Sequence, residues 1–272
     1  MKRILLVSAA IALVWASSAS AMVTITKHNF TLSSNNVKLT AGGITAVNGE
    51  VCVFCHTPHG AASDAPLWNR QMASAGSYTP YTSSTIDAPG ARTDRQPQGI
   101  SLACLSCHDG TIAIDALRNA PGSGNFDATA ATRGWGFDAA YTGFDTATNT
   151  LAEGGSQPIT NLTRNLTTQH PISIEYPYYT GSSGTYDTAF YQPNKQHSSG
   201  AWYFDDGATA NVMEDSEVRL YLFGGSGYVS VECASCHNPH GTETSAGSGV
   251  NHPTLLRKSN NQSALCTTCH IK

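Results

Sequence analysis

Cys104-Leu105-Ser106-Cys107-His108 decides how this chain is read, because its pattern stands three more times: Cys52-Val53-Phe54-Cys55-His56, Cys233-Ala234-Ser235-Cys236-His237 and Cys266-Thr267-Thr268-Cys269-His270. Each is C-x-x-C-H, the attachment pattern for a c-type haem. The sequence holds eight cysteines, and every one sits in these motifs. The spacing follows from the chemistry. Two thiols separated by two residues can span the two vinyl groups of one porphyrin, and the histidine that follows is placed under the iron. A zinc knuckle or a redox-active dithiol would account for a single Cys-x-x-Cys. Neither calls for a histidine directly after all four. The expectation is four covalently attached c-type haems and a chain that moves electrons.

The N-terminus reads as an export signal. Lys2 and Arg3 form a basic start, Ile4 to Trp15 an apolar run, and Ala19-Ser20-Ala21 a small-residue cleavage site. The expected signal peptide is 1–21, and the mature chain is expected to start near Met22. The apolar run is short for a membrane span and no second one follows. No cysteine stands at the cleavage site, so no stable membrane anchor is expected. With all cysteines committed to haem, no disulfides are expected either. Charged residues make up 12% of the chain, about half the usual ~25%. The formal net charge is −4 and becomes more negative when Lys2 and Arg3 are removed. With no basic patch, a nucleic-acid partner is excluded. Much of the apolar interior should come from porphyrin, so folding should depend on the cofactors.

The motifs set the organisation. The first two stand close together, the last two closer still, and a long stretch separates the pairs. The expected regions are an N-terminal dihaem region at 22–120, a loop-rich insert at 121–165 and a C-terminal region with the second haem pair at 166–272, all within one structural unit. A repeat is visible in the extensions His56-Thr57-Pro58-His59-Gly60 and His237-Asn238-Pro239-His240-Gly241. The fold class predicted is a mostly irregular, haem-cored multihaem cytochrome c, with short helical turns at the motifs and few short strands. Thr111 to Leu117 alternates weakly and reads as helix or strand. Glu217 to Phe223 and Gly227 to Glu232 read as short pairing strands. Pro121 to Asn165 shows no period and reads as ordered loop.

Each haem iron has two axial positions, and C-x-x-C-H fills one. Of ten histidines, His56, His108, His237 and His270 are proximal by position. His28, His59, His170, His197, His240 and His252 remain. Methionine is scarce, so bis-histidine ligation is the economical reading. The distal set predicted is His28, His59, His170 and His240, with His197 and His252 outside it. On a helical turn His56 and His59 share a face, and so do His237 and His240. His59 and His240 must therefore serve haems other than their neighbours'. Saturated irons pass electrons and leave no open position for bond-making chemistry, so an enzyme is not expected. The aromatic residues Trp68, Trp135, Trp202 and Tyr176 to Tyr179 read as haem-packing or core groups. Asn161-Leu162-Thr163 and Asn165-Leu166-Thr167 match a glycosylation acceptor, a weak signal here.

The run Val51 to Gly60, then Ala65-Pro66-Leu67-Trp68-Asn69-Arg70 and Cys104 to Thr111, resembles multihaem cytochromes of metal-reducing bacteria. With Lys27-His28-Asn29, His170-Pro171 and Cys236 to His240, the chain is similar to the OmcE-type tetrahaem cytochromes. The resemblance implies self-association into a head-to-tail extracellular filament that conducts electrons, with other redox proteins as donor and acceptor. It also implies that a histidine after the first motif, His59, completes a haem of the next subunit, for which the Cys266/Cys269 haem at the far end of the chain is the expected recipient. A monomeric periplasmic or cell-surface shuttle with the same haems is the alternative, and a multihaem reductase a more distant one.

Overall fold

The computed structural model describes residues 23, 26, 28, 39–41, 51–62, 65–72, 74, 76–84, 96–114, 116–119, 135–137, 144–145, 150–151, 161–177, 188–208, 212–222, 229–241 and 253–271. The expected signal segment 1–21, His252 and most of the insert lie outside the described residues.

Helical backbone coincides with the four motifs. Val51–Phe54 and Cys266–Thr268 are 3₁₀ turns, Cys233–Cys236 is a single α-turn and Gly99–His108 is an α-helix of 10 residues. In each motif the histidine N–H or its neighbour's bonds back to a cysteine carbonyl, for example His56 N to Cys52 O at 2.8 Å and His270 N to Cys266 O at 2.9 Å. The longer helix is anchored by burial: Leu102 and Leu105, three residues apart and on one face, pack with Tyr78 and Leu166. It ends at Asp109, whose carboxylate accepts from Thr111 N at 2.9 Å and from Tyr78 Oη at 2.8 Å. Gly110 follows with φ +73, a left-handed conformation open to glycine at little cost.

The strands are short. β1 (Leu39–Ala41) pairs antiparallel with β2 (Trp135–Phe137), and β3 (Phe144–Asp145) with β4 (Thr150–Leu151). β5 (Ile174–Glu175), β6 (Lys195–Gln196), β7 (Trp202–Tyr203), β8 (Arg219–Leu222) and β9 (Val229–Val231) form an antiparallel sheet in the order β5-β9-β8-β7-β6. The expected pairing of the 217–223 and 227–232 segments is observed as β8 with β9, Leu222 opposite Val229. Leu220 and Val229 are fully buried and pack with Tyr176 as a second small core, covered by Phe190, Trp202 and Phe204.

Two expectations change. The insert read as loop contains β2, β3 and β4. Strands of two or three residues are too short to show a period, and β2 is paired by the remote β1. Among the described residues of Thr111 to Leu117 there is no helix and no strand beyond a single bridge of Leu117 to Arg70. The carbonyls of Ala113 and Ile114 are taken by the Arg70 guanidinium, so a side chain satisfies backbone that a helix or a ladder would otherwise have satisfied.

The two motif pairs are tied together at Glu232. Its carboxylate is buried and accepts from Ser101, from Ser173 at 2.8 Å and from Ser230 at 2.6 Å. Ser101 Oγ also accepts from Cys233 N at 3.0 Å, joining the helix of the second motif to the turn of the third.

Candidate haem-attachment sites

The Pro-His-Gly repeat has a common local structure. Gly60 and Gly241 both have positive φ, +66 and +86, which turns the chain immediately after His59 and His240. The residue two before each histidine closes the turn: Thr57 Oγ1 donates to His59 O at 3.1 Å, and Asn238 Oδ1 accepts from His240 N at 3.2 Å.

The histidines meet across the chain. The His56 and His240 rings have centroids 5.9 Å apart with 29° between their planes. The His28 and His108 rings lie 6.1 Å apart at 64°. Two metal–nitrogen bonds of about 2.0 Å, plus the distance from each nitrogen to its ring centre, place two imidazoles about 6 Å apart across one ion. Both pairs join a proximal with a predicted distal histidine. His240, from the extension of the third motif, faces the histidine of the first. The expectation that His237 and His240, or His56 and His59, share a face of a helical turn does not hold, because the helical backbone ends at Cys236 and at Phe54 and His237 is extended.

Hydrogen bonds at Nδ1 set the tautomers. A carbonyl oxygen can only accept, so an Nδ1 bonded to one carries the proton and leaves Nε2 with a lone pair. His28 Nδ1 donates to Pro239 O at 3.1 Å, His56 to Pro66 O at 2.9 Å, His170 to Pro171 O at 2.9 Å and His237 to Thr254 O at 2.8 Å. His197 differs: its Nδ1 accepts from Ser199 N at 3.2 Å, and both partners belong to the tip of the β6–β7 hairpin. Burial and the neighbouring His108 lower the pKa of His28 to about 4, and burial and His56 lower that of His240, so both rings stay neutral near pH 7.

His59 and His170 are not brought against a histidine among the described residues. His59 is exposed, with its carbonyl held by Asn119 Nδ2 at 2.7 Å. His170 borders a shallow cleft formed with Pro80, Tyr81, Pro97, Leu166 and Ile172. His270 packs against Phe190 at 4.7 Å.

Burial pushes the Cys55 and Cys269 thiols up to about 12 and the Cys236 thiol up to about 11. Cys104 is raised by its contact with the Cys233 thiol and by burial. The Cys233 thiol, which takes the Cys104 hydrogen bond, is lowered instead. The motifs are also neighbours in chain order, Cys55 near Cys107, Cys104 against Cys233, and Cys236 near Cys266.

Buried polar atoms test the fit of a porphyrin directly. Trp68 Nε1 and Arg219 Nε have no hydrogen-bond partner among the described residues, and both are donors. A haem brings two carboxylates, which are acceptors. Trp68 also stands edge-on to His56 at 6.1 Å and 83°. Donor set, ring spacing and tautomers together fit haem.

Sequence reasoning missed Arg70 and Arg257, discussed below. The Asn161 and Asn165 matches have a structural role: their Oδ1 atoms accept from Thr163 N at 2.9 Å and Thr167 N at 3.2 Å, forming two successive turns. Asp205, Asp206 and Glu217 bring three carboxylates together, yet these accept from backbone N–H groups of the same loop, such as Gly207 N to Asp205 Oδ1 at 2.7 Å and Glu214 N to Glu217 Oε2 at 2.7 Å. Among the described residues no helix is long and apolar enough to cross a membrane. No family model matches the chain, and no curated protein matches it.

Proposed function

We propose that this chain is a tetrahaem c-type cytochrome that carries electrons through bis-histidine haems as a subunit of an extracellular conducting filament. The observation that carries the electron-transfer reading is the pairing of His56 with His240 and of His28 with His108 at about 6 Å, between residues far apart in sequence. When bound, the haems supply one-electron chemistry at iron. The residues do the rest. Cys52, Cys55, Cys104, Cys107, Cys233, Cys236, Cys266 and Cys269 attach the haems. His56, His108, His237 and His270 hold the proximal positions, and His28, His59, His170 and His240 the distal ones. The carbonyls of Pro66, Pro239, Pro171 and Thr254 keep four of these imidazoles with Nε2 as the ligating atom. The chain-order contact of the motifs supports a continuous row of haems.

The filament reading rests on the resemblance and on His59. His59 is exposed on a turn held through its carbonyl, a position open to a haem of another copy. A head-to-tail contact that does not close builds a filament. A monomeric shuttle, periplasmic or at the cell surface, would need the same four haems but all distal ligands in one chain.

Mature protein should carry four covalent haems, all low-spin in the assembled state and closed to carbon monoxide when reduced. A pyridine haemochrome assay with intact-mass measurement checks the number, and two or three haems per chain would refute the reading. Electron microscopy of shed surface material separates filament from shuttle.

A further inference from the structure

Two arginines are buried against the motifs. Arg70 is 1% exposed and Arg257 3%. Neither has a carboxylate within ion-pair distance among the described residues, although Asp215 acts on Arg257 from farther off and Tyr221 hydrogen-bonds it. Arg70 donates to three carbonyls, Ile114, Ala113 at 2.7 Å and Ser106 at 3.3 Å. Ser106 lies inside the second motif. The residue before Arg70 bonds to the first motif, Asn69 N to Cys55 O at 2.8 Å. The guanidinium therefore sits between the first and second attachment sites. Arg257 repeats the arrangement. Its Nε donates to Ala234 O, inside the third motif, at 2.9 Å, its Nη1 donates to Asp215 O at 2.9 Å, and its own N–H bonds to Cys236 O at 2.8 Å.

A buried charge without a carboxylate partner is costly, and apolar residues of similar volume would fill the same space at less cost. Carbonyl dipoles offset part of that cost but leave the charge in place. Burial lowers the pKa of Arg257 to about 10, still well above neutrality. A fixed positive charge beside a haem favours the reduced state, which is one unit less positive than the oxidised state. Low local dielectric makes the effect larger than at a surface.

We propose that Arg70 and Arg257 are fixed buried charges, one for each haem pair, that raise the reduction potentials of the haems attached beside them. This rests on the proposed haem attachment. Each arginine acts through its field, with its geometry set by the motif carbonyls it holds.

The test uses full-length, haem-loaded protein, with spectroelectrochemical titration and low-temperature electron paramagnetic resonance. Arg70→Gln keeps amide donors for the carbonyls and removes the charge. Arg70→Lys keeps the charge and loses the planar fork. In Arg70→Gln the reduced-to-oxidised ratio of at least one haem should fall about tenfold at fixed ambient potential, about 59 mV for a one-electron couple. Arg257→Gln should shift a different component of the titration. Arg70→Lys should hold wild-type potentials while its melting temperature falls. Wild-type potentials in Arg70→Gln would overturn the proposal, as would an equal shift in Arg70→Lys. Failure of Arg70→Gln to incorporate four haems would also overturn it, leaving the residue a structural tie alone. Wild-type protein with fewer than four haems would instead refute the attachment reading.

Discussion

At the scale of single residues, the hydrogen bond at Nδ1 distinguishes four of the proposed ligand histidines from His197. Nδ1 of His28, His56, His170 and His237 meets a carbonyl, whereas Nδ1 of His197 accepts from an N–H. His28→Ala and His240→Ala should each turn one haem, and a different one, from low-spin to high-spin. His197→Ala should leave the iron spectra unchanged. Electron paramagnetic resonance checks all three, and the same haem lost in both of the first two variants would break the pairing. Glu232 offers a second test. Burial raises its pKa above 4.5 although three serine hydroxyls pull the other way. A carboxyl raised on folding contributes its stability fully below about 4.5, and that contribution is lost as pH rises through the higher folded value. Melting temperature should therefore decline across that window in wild type, and Glu232→Gln should flatten the decline.

At the scale of elements, each attachment turn is too short to hold itself in place and is tied to remote backbone. Asn69, fully buried, does this for the first motif. Its Nδ2 donates to Val53 O at 2.7 Å and to Asn119 O at 2.9 Å, and its Oδ1 accepts from Asn119 N at 2.9 Å. Asn69→Ala removes three bonds and strands part-buried carbonyls of Val53 and Asn119, a loss of about 3 kcal/mol at roughly 1 kcal/mol per bond. Thermal melts of the loaded variant should show it as a clear fall in melting temperature. An unchanged melt would mean that the turn is held by something other than Asn69. The sheet has the corresponding task for the third motif, since β9 runs through Glu232 directly into Cys233.

At the scale of the whole molecule, the described side chains form two small cores and several turn-bound segments around the four C-x-x-C-H motifs. The proposed haems would add apolar surface beside these cores. His59, fixed at the surface by its own turn, is the residue on which the assembly reading depends. His59→Ala should abolish filaments and leave one haem per chain open to carbon monoxide. Ordinary filaments from that variant would refute ligation between subunits, as would a wild-type monomer with four six-coordinate haems.

The sequence by itself determined where the four C-x-x-C-H motifs stand, which histidine follows each, and that His59 and His240 stand three residues beyond a motif histidine. Those features are local: they are set by spacing along the chain without reference to the rest of it. The β8–β9 pairing was legible for the same reason, through β-branched and aromatic residues separated by glycines. Only the tertiary structure decided that His240 faces His56 and His28 faces His108, because contacts between distant segments leave no mark in local spacing. The same holds for Arg70. A surface arginine and a buried one look alike in sequence, and only the fold brings the carbonyls of Ser106, Ala113 and Ile114 around its guanidinium.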